Sequence, residues 1–383
     1  MMKKNMKSIR EYIMKAGRTG LFMTVTGLSM LFAAQSVYAQ TDEFQTIVED
    51  VRAEARARNI SERTISRGLD GIEALHVKKF ETNQPETSRQ ISFAEYYGRR
   101  ATPAAIAKGR QFMRDHAQAF RKIEQETGVP AAVIAAILSI ESNYGSNTGD
   151  KKVIPALLTL VRDVEGDSKR ARDRRKMFKE EALQALQLLE DGYDEIVTRN
   201  GSWAGAVGPA QFMPSSIRSY AVDGDGDGRK NMWSDYDDVL PSVANFLHRK
   251  GWNAGERWGR KVTLPGNFDK ALLTDTLLEQ HNKTPDEWAA MGVKQADGSA
   301  LPRNGTMRAM LIAPNYNVKT GEFKGPVYMV YDNFRTVMQY NKSYKYALTV
   351  LQMADIMGKE PAPAATVRKQ VVVPVPHNEP YNP

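Results

Sequence analysis

Cysteine is absent from the 383 residues, which removes disulfides, thiolate metal sites, a cysteine nucleophile and acylation at cysteine. Histidine is scarce and scattered (His76, His116, His248, His281, His377), and no H-E-x-x-H occurs, so neither a zinc centre nor a Ser-His-Asp arrangement finds support. No G-x-S-x-G elbow, no Walker loop and no G-x-G-x-x-G opening a helix is present. Glycine (28) and proline (18) follow no period, which excludes a fibrous repeat. Apolar residues at 42% and aromatics at 9% suffice for a sizeable core, which excludes wholesale disorder. The length fits two or three domains. The net charge of +8 is no argument for nucleic acid. Residues 1–39 hold Lys3, Lys4, Lys7, Arg10, Lys15 and Arg18 against Glu11, a net of +5, which leaves only +3 for the rest of the chain.

That basic stretch is followed by an apolar run, Leu21 to Ala34, and by Val37 and Ala39 at the places that precede a cleavage point. This is the three-part pattern of a secretory signal peptide, although an uncleaved anchor helix has the same beginning. The run falls short of the roughly 20 residues of a comfortable membrane span. Residues 1–39 therefore read as a signal peptide, with the mature chain starting near Gln40. Residues 40–258 carry helical spacing: Phe44, Ile47, Val48, Val51 and Ala55 first, an amphipathic helix over 103–127, then an almost wholly apolar helix from Ala131 to Glu141. Two more helices are expected over 175–199 and 238–250. Short alternating runs and Gly/Asn/Pro turns mark 259–335 as a small mixed insert, with strands over 306–312 and 326–331. A helix over residues 336–358 closes the core, and 359–383 form a Pro-rich mobile tail.

Four segments carry chemistry-bearing residues. Glu141 ends the apolar run Ala135–Ile140 and precedes Ser142-Asn143-Tyr144-Gly145. Apolar surroundings penalise a charged carboxylate, so its pKa is expected to rise, as a general acid requires. A Glu on the solvent side of a helix end is the plainer alternative. The segment Gly201 to Ser216 is dense in small residues, with Ser202, Gln211, Ser215 and Ser216 suited to sugar hydroxyls and acetamido groups, and Trp203 and Phe212 offering stacking faces. It reads equally as a tight structural loop. Asp223-Gly224-Asp225-Gly226-Asp227-Gly228-Arg229 matches the first half of an EF-hand loop, with Asn231 at position nine. Position twelve is Ser234 rather than Glu. Either Asp235 reaches the ion or water fills the seventh place, and a polar turn that binds nothing is the alternative. The candidate ligands are Asp223, Asp225, Asp227, Arg229 and Asp235. In Tyr340-Asn341-Lys342-Ser343-Tyr344-Lys345-Tyr346, Asn341 or Ser343 suits a helix cap and the tyrosines suit the wall of a carbohydrate groove.

In this order the motifs resemble the lytic murein transglycosylases of the B type, which cut peptidoglycan. The resemblance covers most of residues 90–357. It rests on Gly128-Val129-Pro130 leading to Ser139–Gly145, on Gly205–Ser215, on the Asp/Gly loop and on Tyr340–Ser343. It implies a mainly α (α+β) chain: a lysozyme-like helical catalytic core, a helical N-terminal part and a small mixed α/β insert. The family's catalytic acid falls on Glu141, and its sugar-binding positions fall on Ser202, Gln211, Tyr340, Asn341, Tyr346 and Tyr96, with Tyr97 the alternative to Tyr96. A calcium ion in the Asp/Gly loop is the one cofactor implied. The expected partner is the glycan strand, met by a monomer in the periplasm without a lipid anchor, since a lipoprotein needs cysteine.

A lysozyme-type hydrolase usually needs two carboxylates. The acidic residues between Glu141 and Asp223 lie in charged helical or loop contexts, and none sits in the small-residue loop. One carboxyl suits a non-hydrolytic cut of the MurNAc–GlcNAc bond, in which Glu141 acts first as acid and then as base and the product is a 1,6-anhydro sugar. A hydrolase of the same bond, a non-catalytic peptidoglycan-binding protein and a calcium-dependent adhesion module are the rival readings.

Overall fold

The computed structural model describes residues 43–76, 91–273, 281–316, 320 and 322–359. The expected signal peptide, and all of the expected tail but Lys359, lie outside the described residues.

The centre of the fold is the helix expected from its apolar sequence. In chain order the helices are α1 (residues 43–57), α2 (Glu62–Leu69), α3 (Phe93–Gly98), α4 (Pro103–Asp115), α5 (Ala117–Thr127) and α6 (Ala131–Ser142). They continue with α7 (Val153–Asp163), α8 (Lys169–Glu190), α9 (Glu195–Thr198), α10 (Pro214–Tyr220), α11 (Tyr236–Arg249), α12 (Pro285–Ala290), α13 (Asp332–Tyr340) and α14 (Tyr344–Met357). Ile134, Ala135, Ala136, Ile137 and Leu138 of α6 are fully buried. α6 packs chiefly against α14 and α4, with α5 and α11 completing the enclosure. Complete burial of each Leu or Ile contributes about 1.5–3 kcal/mol, so this helix is fixed by tertiary contacts on every side.

Local signals set the boundaries. Ser61, Ser92, Thr102, Ser168 and Ser343 each cap a helix by accepting a backbone N–H with the side-chain oxygen. Gly128, left-handed at φ 68°, ends α5. The single helix expected over 103–127 is two, because His116 leaves helical geometry (φ −110°, ψ 26°). Its ring packs 4.5 Å from Phe112, which itself lies 4.6 Å from Tyr144, so a tertiary aromatic cluster makes the break. α1 lies on α8 through buried Phe44, Val48, Val51 and Ala55 and the Lys179–Asp50, Lys179–Glu54 and Arg58–Glu180 ion pairs.

Two strands of the helical region, β1 (Lys151–Lys152) and β2 (Asn200–Gly201), pair antiparallel. The remaining strands, β3 (Gly259–Thr263), β4 (Lys294–Gln295), β5 (Met310–Ile312) and β6 (Val327–Val330), form an antiparallel sheet in the order β4-β3-β6-β5. This sheet and α12 enclose a second small core around Trp288, Leu311 and Met329. The chain then returns through α13 and α14, which brings residues 340–357 back against α6.

Candidate active site

Glu141 stands in the last turn of α6, where the chain leaves the core. Three consecutive left-handed residues follow: Asn143 (φ 52°), Tyr144 (φ 58°) and Gly145 (φ 74°). An aromatic residue in that region is strained and persists only where its surroundings over-determine it. Here they do. Lys108 Nζ of α4 donates to Asn143 O at 3.0 Å and Oδ1 at 2.9 Å. Tyr236 Oη of α11 donates to Tyr144 O at 2.9 Å. Ser142 Oγ donates to Pro209 O at 2.7 Å and accepts from Gly145 N–H at 2.8 Å. Gly145 is required: a Cβ there would stand 2.8 Å from Tyr236 Oη and 3.2 Å from Pro209. The Ser142–Pro209 bond fastens the end of the Glu141 helix to the small-residue segment.

That segment is tightly folded. Ser202 Oγ accepts the N–H groups of Ala204 (3.3 Å) and Ala206 (3.0 Å), so Ser202 shapes its own loop. Gly208 has φ 66°, and a Cβ would fall 1.8 Å from Met232 O, which only glycine permits. Val207 and Phe212 bridge the turn, and Gln211 sits at its tip with φ 50°. Gln211 Nε2 donates to Thr148 O and Gly208 O, both at 3.1 Å. Among the described residues no group donates to its amide oxygen. Phe212, expected as a stacking face, is buried against Phe246 and Tyr340 instead, whereas Trp203 is half-buried against the core.

Around Glu141 the structure brings together Tyr96, Tyr340 and Tyr346, all named by the sequence, and Arg100, which was not. Tyr346 is buried, and its hydroxyl faces Glu141 without a hydrogen bond of good geometry. Catalytic hydrogen bonds are often loose before substrate is bound. Tyr340 is half-buried and donates to Ala210 O at 2.5 Å. Arg100 lies 3.8 Å above the Tyr96 ring, with an N–H to Tyr96 O at 3.4 Å. Burial pushes the Glu141 carboxyl up to about 7, against the opposing pull of the Tyr346 hydroxyl and the Arg100 charge. Burial, reinforced by the Glu141 charge, in turn pushes Tyr340 and Tyr346 well above the ordinary phenol range, so both remain protonated donors. Asn341 is exposed at the α13–α14 junction, and Ser343, not Asn341, caps α14.

Glu181 of α8, which the sequence presents as one more charge on a charged helix, is half-buried with both oxygens taken by Ser215. The Ser215 N–H reaches one at 2.9 Å and its Oγ the other at 2.6 Å. This carboxylate anchors the segment that follows Gln211.

In the Asp/Gly loop the carboxylates of Asp223, Asp225 and Asp227 converge, with one oxygen from each within 4.8 Å of the others. Asp223 accepts the N–H groups of Gly226 (2.7 Å) and Gly228 (2.9 Å). Buried Asp238 closes the loop by accepting from Gly224 (2.8 Å) and Asn231 (2.6 Å). Asp235 lies outside this cluster and caps α11 through Asp237 N–H at 2.9 Å. The Arg229 guanidinium pairs with Glu195. The donor chemistry suits a hard cation such as Ca²⁺ on one side of the loop.

The transglycosylase SLT domain family matches residues 43–355. The membrane-bound lytic murein transglycosylase B of Escherichia coli (strain K12) is 30% identical over 277 residues, 71% of this chain and 69% of that protein. The structure is similar to SltB3 from Pseudomonas aeruginosa in complex with NAG-anhNAM-pentapeptide (TM-score 0.68, 32% identity, 82% of this chain and 79% of that one). It also shares its fold with the E. coli lytic transglycosylase Slt35 in complex with calcium (TM-score 0.65, 24% identity, 83% of this chain and 93% of that one).

The raised carboxyl has a consequence for stability. A group whose pKa is higher in the folded than in the unfolded chain (about 4.3) contributes stability that is complete below the unfolded value. That contribution is lost as pH rises through the folded value, about 7. Glu141→Gln removes the buried charge, so at pH 8 the variant should be more stable than the parent by up to about 3 kcal/mol, and near pH 4 the two should match. Denaturant unfolding at both pH values measures this, and a difference that does not grow with pH refutes the burial argument.

Proposed function

The chain belongs to the B family of lytic murein transglycosylases, and on that footing we propose that Glu141 is its single catalytic acid and base. The observation that carries this reading is the half-buried Glu141 carboxyl, held by burial up to about 7 and therefore substantially protonated at neutral pH. Glu141 donates its proton to the oxygen linking N-acetylmuramic acid to N-acetylglucosamine. The bond from C1 to that oxygen breaks, and the N-acetylglucosamine side leaves as an alcohol. The carboxylate so formed accepts hydrogen-bond donation from Tyr346 and the field of Arg100. It then takes the proton of the muramoyl C6 hydroxyl as that oxygen bonds to C1, which gives the 1,6-anhydro sugar and restores the acid. No water is consumed.

The substrate's own acetamido oxygen stabilises the cationic carbon, the task of the second carboxylate in hydrolases. Gln211 Oε1 is the acceptor suited to that acetamido N–H, while Tyr96, Tyr340, Asn341 and Ser202 border the sugar. The engagement of both Glu181 oxygens with Ser215 supports the single-carboxylate mechanism over hydrolysis. The substrate is peptidoglycan glycan bearing peptide, the class of ligand held by SltB3.

The Asp/Gly loop is read as a structural calcium site. Asp223, Asp225 and Asp227 would hold the ion with the Arg229 carbonyl, and water would take the place that Asp235 leaves. There the ion would neutralise three adjacent carboxylates. Residues 1–39 are read as the leader that directs the chain to the periplasm.

Digestion of purified sacculi tests the reaction. Mass spectrometry should find muropeptides one water lighter than lysozyme products, at a rate that falls as pH rises past about 7 and is lost in Glu141→Gln. Products retaining the water would convert the reading to hydrolysis. For the metal, calcium at a hundredfold excess over Kd should raise unfolding stability by about 2–3 kcal/mol, an increment lost on chelation and in Asp225→Asn; equal melting with and without calcium refutes the site. The intact mass of protein recovered from the periplasm should correspond to a chain beginning near Gln40, and retention of residues 1–39 would turn the leader into an anchor.

A further inference from the structure

Helix α10 begins without a cap of its own. Met213, the residue before it, has no side-chain oxygen to offer, and Pro214, its first residue, has no N–H. The Ser215 N–H is then one of the donors that a helix start leaves without a partner. Glu181 supplies the missing acceptor from another helix. α8 packs against α10, and across that contact the Glu181 carboxylate accepts the Ser215 N–H at 2.9 Å and the Ser215 hydroxyl at 2.6 Å. Gln184, one turn further along α8, accepts from Arg218 of α10 at 2.7 Å, so the same face of α8 grips α10 twice.

A cap alone does not call for a charge here. Glu181 is half-buried, and the Arg58 guanidinium pairs with the neighbouring Glu180 instead. Burial pushes the Glu181 carboxyl above the ordinary carboxylate range, against the pull of both Ser215 bonds, and the Glu180 charge adds to the rise. A partly buried carboxylate without a cation costs stability. In exchange it is acceptor-only and has no flipped form, so both Ser215 hydrogens are fixed in direction, through charge-assisted bonds stronger than an amide makes. The stretch so fixed is short and carries Gln211. Val207 and Phe212 exchange backbone hydrogen bonds at 2.9 and 3.1 Å, Gln211 precedes Phe212 with φ 50°, and Ser215 follows three residues later. Gln211 therefore stands between a fastened bridge and a fastened helix start.

Resting on the reading of Gln211 above, we infer that Glu181 is a positioning residue for the reaction: through Ser215 it fixes the backbone that carries Gln211, and so sets where the acetamido group of the muramoyl sugar is held. That group stabilises C1 only as the glycosidic bond breaks. A displaced Gln211 therefore costs turnover more than affinity, because the interaction it spoils is made chiefly in the transition state. Glu181 touches neither the sugar nor Glu141 in this role, and no second carboxylate enters the chemistry.

A double-mutant cycle on the full chain tests this, with kcat and KM taken from initial rates of anhydro-product release from solubilised, uncrosslinked glycan strands. Glu181→Leu, which keeps the bulk and removes the acceptors, should lower kcat about tenfold and change KM by less than about twofold. Glu181→Gln, which can accept the Ser215 N–H and donate to its hydroxyl, should restore most of kcat. In a Gln211→Ala background the same Glu181→Leu change should alter kcat by less than about twofold, since the group it acts through is gone. Should Glu181→Leu fail to fold, Ser215→Ala carries the same cycle from the other side of the contact. Equal losses in both backgrounds, a loss confined to KM, or a kcat that neither Glu181→Leu nor Ser215→Ala changes overturns the inference. A Gln211→Ala protein as active as the parent refutes the reading of Gln211 itself, and an active Glu141→Gln protein refutes the catalytic reading, each a result distinct from additive losses in the cycle.

Discussion

A carboxyl group that keeps its proton at neutral pH must be surrounded by atoms that solvate charge poorly. In this chain a helix apolar on nearly every side, α6, delivers Glu141 to the edge of the core. The remaining features of the site follow from that placement. Among the described residues the neutral Tyr346 phenol and the Arg100 guanidinium pull its pKa down without cancelling the effect of burial. The turn after the helix is forced into three left-handed residues, and Lys108, Tyr236 and Ser142 hold it there. The strain at Tyr144 is tolerated because these partners over-determine the turn.

The small-residue segment is the second half of the arrangement. Its glycines bring backbone to backbone, and the hydrogen-bonding capacity of its polar side chains is largely spent on the segment itself. Ser202 braces its loop, the Gln211 amide nitrogen holds two carbonyls, and Ser215 grips Glu181. The Gln211 side chain is thereby held in a rigid frame, so orientation rather than flexibility is what the loop provides.

Much of this was legible in the residues. An apolar run ending in Glu marked the helix and its carboxyl, and Ser343 was one of the two caps named for the last helix. The Asp/Gly spacing marked the three converging carboxylates. Other features required the third dimension. Tyr346 in a tyrosine cluster reads as a groove wall, and only the packing of α14 on α6 sinks it to 2% exposure beside Glu141. Arg100 lies just past the end of α3 and reaches back over Tyr96, which no helical spacing reports. Glu181 is indistinguishable in sequence from the exposed acids of its helix. The break at His116 has no glycine or proline to announce it, because distant aromatic rings cause it.

The shell around Glu141 comes from widely separated parts of the chain: Tyr96 and Arg100 from the N-terminal side, Ala210 and Tyr340 bonded to each other across 130 positions, and Tyr346 from the last helix. Contacts of such sequence separation require loop-closure entropy to be overcome before they stabilise the fold. In the unfolded chain Glu141 is an ordinary glutamate with a pKa of about 4.3, ionised at neutral pH and without a proton to give. Under the proposed mechanism an unfolded chain cannot cut the wall of the cell that makes it, and the acid comes into being only with the tertiary packing around it.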